Sequence, residues 1–235
     1  MAGLLELGRD VISRLPQHKR IFTIYHTCRV AWGVSIYKPL LLRHRVIFIH
    51  VPKTGGQSVA QALFGFPFYT EHCRLIEYEK ESPENFRAFY KFTFVRNPYT
   101  RLLSAYHYLL SYSDWPKDIK FRRRVLSQYR DFEDFIVNGL RQNEAIASNL
   151  HFLPQTHFLK DSAGAIGVDF IGKFENLAED FDAVRRRIGF GEPLPWLNRS
   201  RPLGAGFRDH FSDHAAAIVT AFYREDIETF GYDAL

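Results

Sequence analysis

Val46-Ile47-Phe48-Ile49-His50-Val51, running on into Pro52-Lys53-Thr54-Gly55-Gly56-Gln57-Ser58, is the stretch whose reading decides the fold. The first six residues are mostly β-branched or aromatic, the composition of a short central strand buried on both faces. A glycine pair breaks the run, and the compact apolar segment Val59 to Phe64 then reads as a helix stopped by Gly65 and Pro67. Strand, glycine loop and helix together make an anion trap. The glycines let backbone N–H groups turn inward, and the helix N-terminus adds partial positive charge. Lys53 supplies a full charge, and Thr54 and Ser58 supply hydroxyls.

Outward from this point the same grammar repeats. Lys91-Phe92-Thr93-Phe94-Val95 reads as a strand, and Arg96-Asn97-Pro98 turns into a helix reaching about Tyr112, with Asn97 as N-cap and Pro98 in the first turn. Asp169 to Phe174 reads as a third strand, leading through Glu175-Asn176 into a helix from Leu177 to Ile188 ended by Gly189. A last helix is expected from about Asp213 to Phe230, and a first one from Leu4 to Leu15. Strands alternating with helices predict an α/β fold: three layers, α/β/α, around a central parallel sheet. No linker divides the chain, which reads as a single domain over residues 1–235, with residues 1–44 a segment of unassigned role.

The loop is not that of a nucleoside triphosphatase. There the lysine follows the glycines, as G-x-x-x-x-G-K-[ST], whereas Lys53 precedes them at the strand end. No apolar strand ends in an aspartate suited to Mg²⁺, so the loop reads as built for phosphate without a metal. In the second unit Arg96 stands at a strand end, where its fork can hold a phosphate by two hydrogen bonds. Asn97, Arg101 and Ser104 fall on one helix face, so a phosphate there would meet Arg96 and the Ser104 hydroxyl together. Arg101 reads as salt-bridged or solvent-exposed.

Composition sets the outer bounds. The 235 residues include 31 Lys and Arg against 26 Asp and Glu, a net charge of +5, and aromatic residues make up 16%. That basic balance suits an anionic ligand. Two cysteines, Cys28 and Cys73, cannot make a disulfide framework, which favours a reducing compartment. The most apolar early stretch, Ile21 to Leu42, is interrupted by His26, Arg29, Lys38 and Pro39, so no membrane span is expected. The N-terminal residues lack the pattern of a secretion signal, and the location expected is cytoplasmic or peripheral to a membrane surface.

The segment Phe48 to Val59, FIHVPKTGGQSV, resembles the 5′-phosphosulfate loop of sulfotransferases that use 3′-phosphoadenosine 5′-phosphosulfate. FVRNPYTRLLSAY, from Phe94 to Tyr106, resembles their 3′-phosphate motif, with Arg96 and Ser104 at the family's eight-residue spacing. His151 to Gln155, Asp169 to Leu177 and the ending Phe230-Gly231-Tyr232 are similar to further stretches of the branch containing carbohydrate sulfotransferases. The likeness covers about residues 45 to 235. It implies a P-loop, nucleotide-kinase-like sulfotransferase fold and in-line transfer of a sulfuryl group to a hydroxyl, on a saccharide or glycolipid. The donor would be held by Lys53, Thr54, Gly55, Gly56, Gln57, Ser58, Arg96 and Ser104, with 3′-phosphoadenosine 5′-phosphate as product and no metal or nucleic acid required.

The chemistry asks for a cation to stabilise charge on the leaving phosphate, for which Lys53 is placed, and a base for the incoming hydroxyl. The resemblance implies His72 as that base, since the family often has a histidine after the first helix. Glu71 and His151 remain alternatives, and His50 reads as packing or a loop brace. Arg199 or Arg201 would add charge near the 3′-phosphate, and Arg122 to Arg124, beside Trp115 and Lys117, would face an anionic acceptor. Arg185 to Arg187 read as a solvated helix face. Two rival functions stand beside this one: a small kinase, disfavoured by the loop order, and a basic nucleotide- or polyanion-binding module that catalyses nothing.

Overall fold

A computed structural model of the chain describes residues 35–65, 71–195 and 205–235. The chain divides into two compact units, Met1–Lys38 and Pro39–Leu235. Only residues 35–38 of the first unit are described, a bend in which the Tyr37 amide donates to the Ser35 hydroxyl at 3.0 Å. The expected helix from Leu4 to Leu15, Cys28, the aromatic loop 66–70, and Arg199 and Arg201 lie outside the described residues.

In the second unit α1 (Pro39–His44) leads into β1 (Val46–Ile49), and the glycine loop into α2 (Gly56–Phe64). Two short helices, α3 (Leu75–Glu81) and α4 (Pro83–Ala88), precede β2 (Tyr90–Val95). Then comes α5 (Pro98–His107), whose last turn widens into a π-helix, Tyr108–Tyr112. The connection onward holds α6 (Pro116–Arg124), α7 (Phe132–Asp134) with a π-turn Phe135–Gly139, α8 (Glu144–Ala147) and α9 (Thr156–Leu159). β3 (Phe170–Lys173) passes through a 3-10 turn, Phe174–Asn176, into α10 (Leu177–Ile188), and the chain closes with α11 (Asp213–Phe222) and α12 (Arg224–Phe230).

The three strands form one sheet in the order β1-β2-β3, both pairs parallel, with Phe48 opposite Phe92 and Phe94 opposite Gly172. Every residue of β1 and all but the first of β2 are buried. Since neighbouring side chains point to opposite faces, both faces of the sheet are covered, as the hydrophobic runs require. One cover is α10, whose Phe181 meets Phe94 at 6.4 Å between ring centres. Gly172 is glycine for that packing: a Cβ there would lie 2.4 Å from the Phe94 ring. A second core joins α5 to the long connection and α11, with Tyr99, Tyr106, Phe135, Phe152 and Tyr223 at its centre.

Among the boundaries that differ from the sequence expectation, three have a clear local reason. β1 ends at Ile49 because His50 and Val51 belong to the loop. The helix after Asn97 keeps its expected length but finishes as a π-turn, closed by the Ser113 amide donating to the Tyr108 carbonyl at 2.8 Å. The last helix is two, α11 and α12, separated at Tyr223, whose buried hydroxyl donates to the Phe152 carbonyl at 2.6 Å. Among the described residues no helix is long and apolar enough to cross a membrane.

Candidate functional site

Because β1 and β2 run parallel, their C-terminal ends open on one edge of the sheet, where ligands of open α/β sheets bind. Lys53 follows the end of β1 and Arg96 follows β2 directly. The Arg96 Nη1 donates to the Lys53 carbonyl at 3.4 Å, so the glycine loop and the arginine turn meet as one structure.

The first motif is a tight loop. Lys53 has φ 71°, a left-handed conformation unusual for a residue with a Cβ and of the kind stored at functional sites. Gly55 follows at φ 82° and caps α2. A Cβ on Gly55 would come 2.7 Å from Leu177 and 3.2 Å from Phe174, and one on Gly56 would sit 2.0 Å from the His50 ring. Both glycines are therefore fixed by close approach. The Ser58 and Val59 amides already donate to the Gly55 carbonyl, at 3.0 and 3.3 Å, while helix geometry gives the amides of Gly56 and Gln57 no partner within α2. Gln57 is exposed and Ser58 half-buried. Thr54 is buried, and its hydroxyl donates inward to the Val51 carbonyl at 2.9 Å.

Arg96 is a clamped residue, 5% exposed. Its amide donates to Gln155 Oε1 and its carbonyl accepts from Gln155 Nε2, both at 2.8 Å. Its Nε donates to Thr100 Oγ1 at 3.0 Å, and the guanidinium lies 4.2 Å over the Phe174 ring. Burial, offset by Glu175, brings its pKa down to about 10. Glu175 itself accepts from the Asn97 amide and the Tyr232 hydroxyl, at 2.8 and 2.9 Å, tying the C-terminal Phe-Gly-Tyr to the arginine turn. Asn97 caps α5 as expected, accepting from the amides of Tyr99 and Thr100. Ser104 is half-buried, two turns along α5 from that cap.

Arg101 corrects the sequence reading. It is 1% exposed and bonded not to a carboxylate but to backbone carbonyls: Pro52 and His151 at 3.4 Å each, and Leu153. It is a strut between the glycine loop and residues 151–153, held over the Tyr223 ring at 5.6 Å.

Three histidines gather beside Lys53. His72 Nδ1 lies 2.7 Å from the His50 carbonyl, and its ring centre is 4.3 Å from that of His50. A carbonyl only accepts, so Nδ1 carries the proton and Nε2 keeps its lone pair. Burial, reinforced by Lys117 and Lys53, lowers the His72 pKa to about 4, so the ring is neutral near pH 7. His50 is thereby a brace, as expected. His151 is buried, and burial together with the charges of His72, Lys53, Lys117 and Arg101 pushes its pKa well below the usual histidine value. Its Nε2 lies 3.9 Å from Asp118 Oδ2. Glu71, next to His72, is buried as well. Lys53 itself rests over the Tyr108 ring at 4.0 Å, and burial, then Arg96, lowers its pKa to about 8.

Of the outlying arginines, Arg122 braces the π-turn, donating to the Leu110 carbonyl at 2.5 Å, while Arg123 and Arg124 are exposed. Arg185 and Arg186 pair with Asp182 at 2.9 and 3.0 Å, and Arg187 lies over the Tyr90 ring. Sequence reasoning passed over Thr100, Tyr108, Phe174 and Gln155 as site-building groups. Thr100 had a readable signal, four residues after Arg96 and so within reach of it across the first helical turn. Tyr108 had none, since a π-turn is invisible to helical periodicity. Among the described residues no cluster of three or more His, Cys, Asp or Glu is arranged to hold a metal ion.

Residues 42–233 match the model of the Sulfotransferase family. The chain is similar to carbohydrate sulfotransferase 11 of Danio rerio, 24% identical over 80% of this chain and 65% of that protein. It is also similar to human carbohydrate sulfotransferase 9, 24% identical over 90% of this chain and 55% of that one. Carbohydrate sulfotransferase 14 of Danio rerio is 25% identical over 97% and 74%. The chain thus spans less than two thirds of the length of the first two relatives. No solved structure matches it significantly. With a family match over most of its length, and with the loop and arginine turn joined at one sheet edge, the chain belongs to the sulfotransferase family.

Proposed function

We propose that this chain transfers a sulfuryl group from 3′-phosphoadenosine 5′-phosphosulfate to a carbohydrate hydroxyl. The observation that carries the reading is the meeting of Lys53 and Arg96: two half-buried to buried cationic residues from two parallel strand ends, the arginine bonded to the lysine's backbone carbonyl and its charge felt at the ammonium. Like charges placed together in low dielectric are unfavourable unless a multiply charged anion lies against both. The groups present suit such an anion. Gly55 and Gly56 are held by close packing at the start of α2, and Arg96 is pre-set by Thr100, Phe174 and Gln155.

When bound, the donor supplies a sulfuryl group already activated as a mixed anhydride with phosphate. The protein's own part divides among three groups. Lys53, with the Gly56 and Gln57 amides, stabilises the negative charge that grows on the leaving phosphate. Arg96, with Ser104, holds the 3′-phosphate and so fixes the donor's register. His72 takes the acceptor's proton on Nε2. It is neutral in the free protein, and its Nδ1 proton is anchored on the His50 carbonyl, which keeps the basic nitrogen turned outward.

The test is ligand preference followed by turnover. Adenosine 3′,5′-bisphosphate is expected to raise the melting temperature well above the effect of AMP, because only the former engages both cations. At a hundred times its Kd a ligand adds about 2.7 kcal/mol of apparent stability. Labelled-sulfate transfer onto neutral and acidic glycans then identifies the acceptor. Equal stabilisation by AMP and bisphosphate would remove the basis of the reading.

A further inference from the structure

Lys53 carries the only charge that the proposed chemistry places at the leaving group, yet among the described residues no carboxylate is paired with it. What lies against its ammonium is the face of Tyr108, 4.0 Å away. An aromatic face attracts a cation through its quadrupole without neutralising it. A carboxylate in the same place would hold the lysine but cancel the charge that a leaving phosphate needs.

The ring is itself fixed from three sides. Tyr108 is the first residue of the π-turn, and the Arg122 guanidinium bonds the Leu110 carbonyl inside that turn. Such one-turn widenings recur at functional positions. Ser113 lies near the phenol hydroxyl, and its own hydroxyl donates to Asp118 at 2.6 Å. The buried His151 packs against the ring at 5.3 Å between centres, with its Nε2 3.9 Å from the same Asp118 carboxylate.

We infer that Tyr108 is a positioning residue for Lys53: its ring, seated in the π-turn and packed against the buried His151, holds the ammonium over the glycine loop while leaving its charge available. The inference rests on the sulfuryl-transfer reading for its catalytic meaning, but not for its physical content. The other titratable groups coupled to Lys53 are Arg96 from the end of β2, and His72 and His151, both neutral where Lys53 titrates. Arg96 opposes its protonation, and the ring favours it.

The experiment measures Lys53 directly. In wild-type protein with isotope-labelled lysine, assigned through Lys53→Arg, the Lys53 side-chain protons are expected at ring-shifted, upfield positions. Ordinary lysine positions would overturn the inference without any variant. In Tyr108→Leu the Lys53 titration is expected to fall by about one pH unit, in line with a desolvated cation–π contact. The alkaline limb of kcat/KM for the donor, which reports the ligand-free protein, would move down by the same amount, with kcat/KM at pH 7.5 reduced several-fold. Tyr108→Phe keeps the ring and is expected to keep the titration and the alkaline limb. A Lys53 titration unchanged in Tyr108→Leu would overturn the inference, and so would an equal shift in Tyr108→Phe, which would move the effect to the hydroxyl. If wild-type protein titrated as expected but moved no sulfate to any acceptor, the functional reading would fail and the Lys53–Tyr108 contact would stand.

Discussion

Lys53 and Arg96 occupy equivalent places, each just past the end of one of two adjacent parallel strands, yet the protein treats them differently. Arg96 is gripped at its amide, carbonyl, Nε and ring face, and even with its pKa lowered to about 10 it stays charged at any physiological pH. Lys53 sits on a strained backbone, touches one ring, and has a pKa lowered to about 8. The contrast separates two tasks. A permanent, bidentate cation suits a phosphate that is only held, whereas a compact ammonium near its titration point suits an oxygen whose charge changes during reaction.

Removing each charge tests that division. Lys53→Ala is expected to lower kcat by about 10²–10³, the usual loss for a charge-stabilising donor, while bisphosphate affinity falls much less. Arg96→Ala is expected to do the reverse, weakening bisphosphate binding by about 10²-fold, as when one partner of a buried charge contact is truncated. Calorimetric titration beside steady-state kinetics reads both. If both variants lost affinity and kcat in equal proportion, the two cations would be one electrostatic unit and the distinction would be wrong.

A pH profile sharpens the same contrast. His72 must be neutral to accept a proton, and with its pKa at about 4 it is neutral from roughly pH 5 upward, so the acid limb is expected below pH 5. Lys53 must be charged, so kcat/KM, which reports the ligand-free protein, is expected to fall above about pH 8, tenfold per pH unit. Arg96 contributes no limb in this range. Lys53→Arg, if it keeps measurable turnover, is expected to abolish the alkaline limb; a limb that persisted would belong to another group.

Much of this was legible beforehand because it is written in short range. The β-branched runs, the Gly55-Gly56 pair and the Asn97-Pro98 cap specify strands, turn and helix start through local sterics, and the parallel sheet follows from their alternation. The sheet edge then brings Lys53 and Arg96 together. What was illegible depends on long-range burial. Arg101 was read as salt-bridged or exposed because arginine usually is, but it is flanked by Tyr99, Leu102 and Leu103, all buried, and its terminal nitrogens bond carbonyls from two distant loops. Thr54 was read as a ligand because its hydroxyl stands beside the lysine, yet the turn directs it to Val51. Tyr108 depends on a π-turn, Ser113 and Asp118, none of which announces itself in a helical period.

The smallest expected effect concerns how the loop and the base are joined. His50 touches both: its carbonyl accepts from His72, and its ring occupies the space where a Gly56 side chain would be. Gly56→Ala would place a Cβ 2.0 Å from that ring, and real carbon contacts never approach so closely, so the His50 ring must move. The strain of such overpacking is about 1–3 kcal/mol. For a chain of this length that corresponds to a fall in melting temperature of about 2–4 °C per kcal/mol, readable by calorimetry. A displaced His50 would also shift the acceptor of the His72 Nδ1 proton, so turnover should drop more than stability alone explains. His50→Ala in the Gly56→Ala background is expected to restore much of the melting temperature, because the clash is gone, but not the turnover, because packing against His72 is gone too. Recovery of both would show that the His50 ring merely fills space beside Gly56, and that the backbone carbonyl at position 50 is enough to orient the base.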